Sequence, residues 1–367
     1  MTKTIETDLK TFVKFWLVPL LIGIAILVIY KAITGLIIIG LSIFLALALR
    51  PLMSKVNGLF TKLFGKNEKH QTISAVFAYL IVVLVVGGIL AIIGPVVVNE
   101  TSKFVQNFPE TFETTFGGWD GVNKLGESIG ITDLHGQIES GLTNISNNLL
   151  GLLGNNLFSS VSGIADVIMK LVLILVLTLL FLLEGPSMMN SLWKTLERTN
   201  NKKKANVTHR VITKMANVVS TYVSRQVFVA IIDGCATMII VFILSLIFKF
   251  SPNLAIPMGM ITMLFYLIPM FGQFIGGALV TLLLVSSNLW AGLVFAVIYI
   301  SYSQIENNII APKIQGDALK LRPVIILCAI VIGMYMFGLL GAIIAIPIAG
   351  CIRVLAEEYP NIISSRE

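Results

Sequence analysis

From Thr72 to Val98 the chain runs without one charged side chain, and that run constrains the fold more than any other feature. A helix of such length, rising 1.5 Å per residue, crosses the roughly 30 Å hydrocarbon core of a bilayer with some tilt. Leu171 to Leu183 reads the same way. Only 12% of the 367 residues are charged, and mean hydropathy is +0.91. An ordinary soluble domain carries about 25% charged residues, so this composition excludes an ordinary soluble enzyme.

The charges that remain are unevenly placed. Lys and Arg number 26 against 19 Asp and Glu, a net +7. A nucleic-acid binder would gather that excess on one soluble face beside aromatic readers, and no such domain is present. Three cysteines, Cys235, Cys328 and Cys351, lie inside apolar runs. They read as core filler rather than a disulfide framework. The excess is better explained by the accumulation of Lys and Arg on cytoplasmic loops of membrane proteins.

Apolar blocks at Phe12–Tyr30 and Ala32–Arg50 read as two spans joined at Tyr30-Lys31. Arg50, Lys55, Lys62, Lys66 and Lys69 then face one acid, Glu68, which marks a cytoplasmic loop. The third block, Thr72–Val98, carries Pro95 near its end, a candidate kink or stop. Residues 99–160 hold seven acids against Lys103 and Lys124, as expected outside the cell. There Phe104, Phe108, Phe112 and Phe116 stripe one helical face, with a restart expected at Pro109. Leu142, Ile145, Leu149 and Leu152 form a second stripe. The fourth block, Val161–Leu183, returns inward and is expected to end at Glu184-Gly185-Pro186. Residues 185–225 carry eight bases against Glu197 and are cytoplasmic, and Gln226–Phe248 goes out again.

Beyond Pro252 the pattern changes. Residues 254–305 and 323–356 are almost continuously apolar but punctuated by proline and glycine. Phe274–Ile305 has Ser286-Ser287-Asn288 near its middle, and Pro323–Ala356 has Gly338 to Gly341 near its middle. Each fits either two tightly turned spans or a re-entrant hairpin. Broken helices at membrane depth are tolerated only inside protein or beside a water-filled cavity, and in transporters that is where solute sites lie. The resulting expectation is an all-α polytopic membrane bundle of about eight transmembrane helices. Its parts are an N-terminal unit (1–98), an outer helical segment (99–160), a fourth span with a basic segment (161–225) and a broken-helix core (226–367).

Little in the chain points to enzymatic chemistry. His70, His135 and His209 fall on different sides of the membrane, and Ser191 to Lys194 fits a Ser-x-x-Lys pattern without companion motifs. No catalytic residues, metal or cofactor are expected. Ionisable groups within spans carry more information, because burying a charge there costs a few kcal/mol. Asp233 lies seven residues into the fifth span, with Thr237 one turn on. It either ties spans together or carries a proton or cation. Asp166 and Lys170 read as a local ion pair. The densest polar run in the apolar half contains Tyr302, Gln304, Glu306, Asn307 and Asn308. It is either the wet end of a span or a surface for a polar solute or small cation.

The C-terminal half then becomes recognisable. Ile305-Glu306-Asn307-Asn308-Ile309-Ile310-Ala311-Pro312-Lys313-Ile314-Gln315-Gly316, followed by Leu319, Leu321 and Pro323, resembles the signature of the autoinducer-2 exporter family. Gly338-Leu339-Leu340-Gly341 and Ala345-Ile346-Pro347 continue it, and Leu267-Ile268-Pro269 with Gly272 is similar to its preceding motif. Phe181 to Gly185 resembles the end of its fourth span. Gln273 stands where many members carry a proline, and Arg225 where a small residue is common. The resemblance implies a homo-oligomeric transporter, such as a pentamer, that exports autoinducer-2 or a similar small polar solute, or exchanges sodium for protons. Pro269, Gly272, Pro312, Gly338, Gly341 and Pro347 would shape its turns. The expected setting is the cell membrane, with both termini cytoplasmic, lipid around the bundle and no nucleic-acid partner. A non-transporting scaffold whose 185–225 segment binds anionic lipid or an acidic partner is the remaining alternative.

Overall fold

The structure is a computed structural model and describes residues 9–64, 68–116, 161–199, 202–315 and 321–364, with isolated positions between 117 and 160. The fold of these residues is all-α. Helices α1 (Leu9–Phe64), α2 (Glu68–Phe116), α3 (Val161–Thr199) and α4 (Lys202–Phe248) are followed by a 3-10 turn at Pro252–Leu254. Then come α5 (Ala255–Tyr266), α6 (Gly272–Ser287), α7 (Leu289–Ile305), a π turn (Glu306–Ile310), α8 (Ala311–Gln315) and α9 (Pro323–Ser364). Among the described residues, 6 helices are long and apolar enough to cross a membrane.

Among the described residues that number is smaller than the expected eight or so, and the reasons are local. Tyr30-Lys31 carries neither glycine nor proline, so nothing there breaks the backbone, and the first two apolar blocks form one 56-residue helix. Elsewhere expected stops are also bridged. Helix α2 continues through Pro95 and Pro109 to Phe116, and α3 runs through Gly185-Pro186. A proline removes one backbone hydrogen bond, which neighbouring groups in a helical bundle readily compensate. The aromatic side chains of 104–116 and the stripe at Leu142–Leu152 lie outside the described residues.

Both ambiguous apolar stretches turn back on themselves. Helices α6 and α7 form an antiparallel pair joined at Asn288, whose Oδ1 accepts from the Ala291 N–H at 3.0 Å and caps α7. Inside α9 the backbone departs from helix at Phe337 (φ −137°, ψ 18°) and Gly338 (φ 61°, ψ −146°). A Cβ on Gly333 would sit 2.4 Å from the Gly341 carbonyl oxygen, whereas eight residues of straight helix span roughly 12 Å. The first arm, residues 323–336, is therefore about 21 Å long, short of a full crossing. Helix α9 is a hairpin of two arms.

The core sits between α4 and the hairpins. Helices α4 and α5 run antiparallel in close contact. Met258, Ile261, Val280, Leu283, Leu284 and Phe295 are buried between α5, α6 and α7, with Val241 and Leu244 of α4 and Val97 of α2. Helices α1 and α3 meet where Ser42 and Thr178 are buried, Thr178 Oγ1 donating to the Ile174 carbonyl at 2.6 Å. Small polar residues allow such close helix approach in membranes. The outward faces keep large apolar side chains exposed, such as Leu84 and Val297, as a lipid-facing surface requires. Cys235 and Cys328 are exposed there too, which corrects their reading as core filler.

Two polar ties fasten opposite ends of the bundle. Buried Glu100 of α2 accepts from Lys103 at 2.7 Å, and from Ser286 at 3.3 Å and Ser287 at 3.2 Å at the α6–α7 turn. At the other end buried Glu358 of α9 pairs with Arg210 at 2.7 Å and with Lys214, both on α4.

Candidate functional site

The site grows out of two local breaks in helical geometry. Pro312 lacks an N–H and cannot donate to the carbonyl of Asn308, four residues back. The helix relieves this by widening into a π turn at Glu306–Ile310, in which the Ala311 N–H reaches back to the Glu306 carbonyl. Such bulges re-aim side chains and occur often at functional sites. Opposite lies the α5–α6 turn, Leu267 to Phe271, where Met270 adopts φ 68°. A non-glycine residue there is strained by about 1 kcal/mol or more. At Gly272 the chain re-enters helix so close to α5 that a Cβ would fall 1.8 Å from the Phe265 carbonyl oxygen. Only glycine permits the approach, and it places Gln273 against the π turn.

Here the two carboxylates singled out by sequence come together. Asp233 of α4 and Glu306 are both 0% exposed, and they lie within electrostatic reach of one another. Tyr299 of α7 donates its phenol O–H to Asp233 Oδ1 at 2.9 Å. Gln273 donates through Nε2 to Glu306 Oε2, and its Oε1 accepts from Asn307 Nδ2 at 2.9 Å. With Glu306 ionised and accepting, Gln273 turns its amide nitrogen to Glu306 and its oxygen to Asn307. Asp233 Oδ2 and Glu306 Oε1 have no hydrogen-bond partner, nor does the buried Tyr302 hydroxyl. Among the described residues no Lys, Arg or His forms an ion pair with either carboxylate. Asp233 faces the hydroxyls of Tyr299 and Thr262, and Glu306 faces those of Tyr266 and Tyr302.

Next to these groups is a cavity of about 480 Å³. Gln273 and Asn307 reach it from the carboxylate side, and Tyr222 and Gln226 of α4, Gln315 of α8 and Tyr266 of α5 supply its other polar walls. Gln226 donates to the Tyr266 carbonyl at 2.9 Å and accepts from Gln315 at 3.3 Å.

A match to the AI-2E family transporter model spans residues 17–361. The chain belongs to the AI-2E transporter family. It is similar to sll0060 of Synechocystis sp., 24% identical over 296 residues that cover 80% of this chain and 82% of that protein. YueF of Bacillus subtilis is 20% identical over 308 residues, 81% of this chain and 79% of the relative. YrrI of Bacillus subtilis is 31% identical over 102 residues, 28% of this chain and 29% of the relative. All three bear the printed name "Putative transport protein".

Of the candidate residues in this AI-2E family chain, Asp233, Glu306 and Asn307 meet, and Tyr302 stands beside Glu306. Gln304 and Asn308 do not join them. Both are exposed, and Asn308 Nδ2 bonds the Gln304 carbonyl at 2.7 Å. Thr237 hydrogen-bonds Thr262 at 3.0 Å rather than serving Asp233. Asp166 and Lys170 do form their expected pair, at 2.6 Å on an exposed face. Pro269 lies in the α5–α6 turn, Gly338 at the α9 tip, and Gly341 where the α9 arms touch. Pro347 is carried within the second arm of α9.

Sequence reasoning did not select Gln273, Tyr299, Tyr222, Gln226 or Gln315. A glutamine beside Gly272 at an expected turn was the available signal for the first. Tyr299 shares a helical face with Ser303 and Asn307, which pointed to the second.

Proposed function

We propose that the protein is a secondary transporter that moves a small polar solute outward and couples that movement to protons through Asp233 and Glu306. Glu306 and Asn307 contact solute or ion, and the breaks at Pro269, Gly272, Pro312, Gly338, Gly341 and Pro347 shape the moving elements. The observation that carries this reading is the pair of fully buried carboxylates facing one another without a basic partner among the described residues. Moving a carboxylate out of water without a positive partner costs several kcal/mol. A site of that kind takes up a positive species, a proton or a small cation, and its occupancy can be linked to the geometry around it. Family membership and the relatives' printed names support the transport class.

The same observation favours a second reading, exchange of sodium for protons with no organic cargo. The two are separated in proteoliposomes of the purified chain, screened for solute flux and for dye-reported proton movement with and without pH and sodium gradients. Solute flux that follows the pH gradient supports the first. Sodium-dependent proton movement in the absence of solute supports the second. No flux of either kind contradicts both.

The orientation we propose places the basic α1–α2 connection, the 185–225 region and the Arg210–Glu358 tie in the cytoplasm, with Glu100 at the outer end. The C-terminus is then cytoplasmic. The cytoplasmic N-terminus expected from sequence would need a turn at Tyr30-Lys31, and α1 has none there, so the proposed orientation covers the C-terminus alone. Assembly as a homo-oligomer would cover part of the exposed apolar surface.

A further inference from the structure

Helix α8 is five residues long, Ala311–Gln315, and follows the π turn directly. It spans only about 7 Å, yet it supplies one wall of the cavity through Ala311, Pro312 and Gln315. Its apolar hold is slight. Ala311 and Ile314 rest, half-buried, on the cluster formed by Val229 and Ala230 of α4 and Tyr266 of α5. The stronger hold is polar and converges on one residue. The half-buried Arg225 of α4 donates from its guanidinium to the Gln315 carbonyl. Gln226, the next residue, accepts from Gln315 Nε2 at 3.3 Å while its own Nε2 donates to the Tyr266 carbonyl at 2.9 Å. The last carbonyls of a helix lack partners within it, so the guanidinium satisfies an orphan acceptor with a charge-assisted bond.

The two sides of the π turn are anchored separately. Ahead of it, α7 is fastened to α4 through Tyr299 and Asp233 and buries Phe295 in the core. Beyond it, α8 is fastened to α4 at Gln315. Between them the regular ladder is interrupted, because Pro312 has no N–H for the Asn308 carbonyl. Hinges form at such element ends, where a few residues absorb the change in backbone angles.

From this arrangement we infer that α8 is a lid on the cytoplasmic side of the cavity, hinged at the π turn and latched to α4 by Arg225, with Gln226 as a second catch. The inference rests on the transporter reading above and gives that site a gate. Releasing Gln315 frees α8 to swing from α4 and takes away its wall of the cavity. Glu306 and Asn307 belong to the hinge itself, and both bond Gln273. Lid position and the geometry at the carboxylate are therefore linked through the chain.

The test reads access to the cavity with a membrane-impermeant methanethiosulfonate, applied to inside-out vesicles that carry the full chain. Cys235→Ala, Cys328→Ala and Cys351→Ala supply a thiol-free background. Ile346→Cys, in the cavity lining at 3% exposure, reports opening, and Val280→Cys, buried in the core, reports general loosening. Arg225→Ala removes the charge-assisted bond and should speed labelling of Ile346→Cys about 10-fold or more, with Val280→Cys unchanged. Arg225→Lys keeps the charge but not the fork and should fall between. Gln315→Leu loses the Gln226 bond, keeps the carbonyl, and should speed labelling about 3-fold. Labelling of Ile346→Cys that ignores Arg225→Ala overturns the inference, as does an equal rise at Val280→Cys. A second measurement joins Arg225→Cys and Gln315→Cys, in the same background, with a short bifunctional thiosulfonate. The bridge should arrest flux in proteoliposomes, and reduction should restore it. Undiminished flux through fully bridged protein overturns the lid. If the unbridged chain moves neither solute nor ion, the transporter reading falls, and labelling of Ile346→Cys still decides the lid.

Discussion

Tyr299 and Asp233 are joined across α7 and α4 by a 2.9 Å hydrogen bond, with the phenol donating to Oδ1 of a carboxylate that is 0% exposed. The bond fastens the helix that leads into the π turn to the helix that carries the acid. Tyr299→Phe keeps the ring stacked on Phe295 (centroids 5.3 Å apart) and removes only this donor. Leaving a buried carboxylate oxygen unpaired should cost about 1–3 kcal/mol. A lower unfolding temperature in detergent, with flux reduced, is the expected result.

Gln273 holds two partners at once, Glu306 through Nε2 and Asn307 through Oε1. Gln273→Leu is close in volume and breaks both bonds, so the loss should exceed that of Tyr299→Phe and lie near the upper part of the range of about 1–3 kcal/mol for a charged partner left unpaired. Gln273→Glu keeps the length but sets a third carboxylate against Glu306. It should be worse than leucine in thermal unfolding.

The membrane class, the positions of the broken helices after Pro252 and the two acids that the fold buries were legible in the chain itself. Charge-free runs, the proline and glycine punctuation and the rarity of carboxylates within spans each have a direct physical meaning. Span number was less legible, because prolines such as Pro95 and Pro186 stop helices in water but not in a packed bundle, and Tyr30-Lys31 has no breaker at all. Gln304 and Asn308 stand apart from the buried group for a related reason. Regular helical spacing cannot anticipate the extra residue of the π turn, which buries Glu306 and brings the amide of Asn307 to Gln273 while Asn307 itself stays exposed. Tyr222 and Gln226 of α4, Gln273 of α6 and Gln315 of α8 come from three distant segments, and only the folded chain brings them to one wall.

Gly338 has φ 61° and ψ −146°, a region that side-chain-bearing residues hardly enter, and nothing lies within 4 Å of where its Cβ would be. Gly338→Ala should therefore destabilise through backbone strain alone, by about 1–3 kcal/mol. The same loss should appear for Gly338→Ser, which a packing explanation would not produce. Thermal unfolding of both variants checks it.

At Gly234 the cause is reversed. A Cβ there would lie 2.7 Å from the Gly259 carbonyl oxygen and 2.7 Å from Met263 Cβ, where α4 meets α5. Gly234→Ala should push these helices apart at a cost of about 1–3 kcal/mol. Because Asp233 is its neighbour, the variant should also weaken the Tyr299 contact and lower flux.

Coupling by the two buried acids is tested most directly by comparing two modes of transport in the same proteoliposomes. Asp233→Asn and Glu306→Gln, each confirmed as folded by size-exclusion chromatography, should lose solute flux driven by a pH gradient while retaining solute exchange at equal pH on both sides. Gradient-driven flux with unchanged pH dependence in both variants would contradict the account.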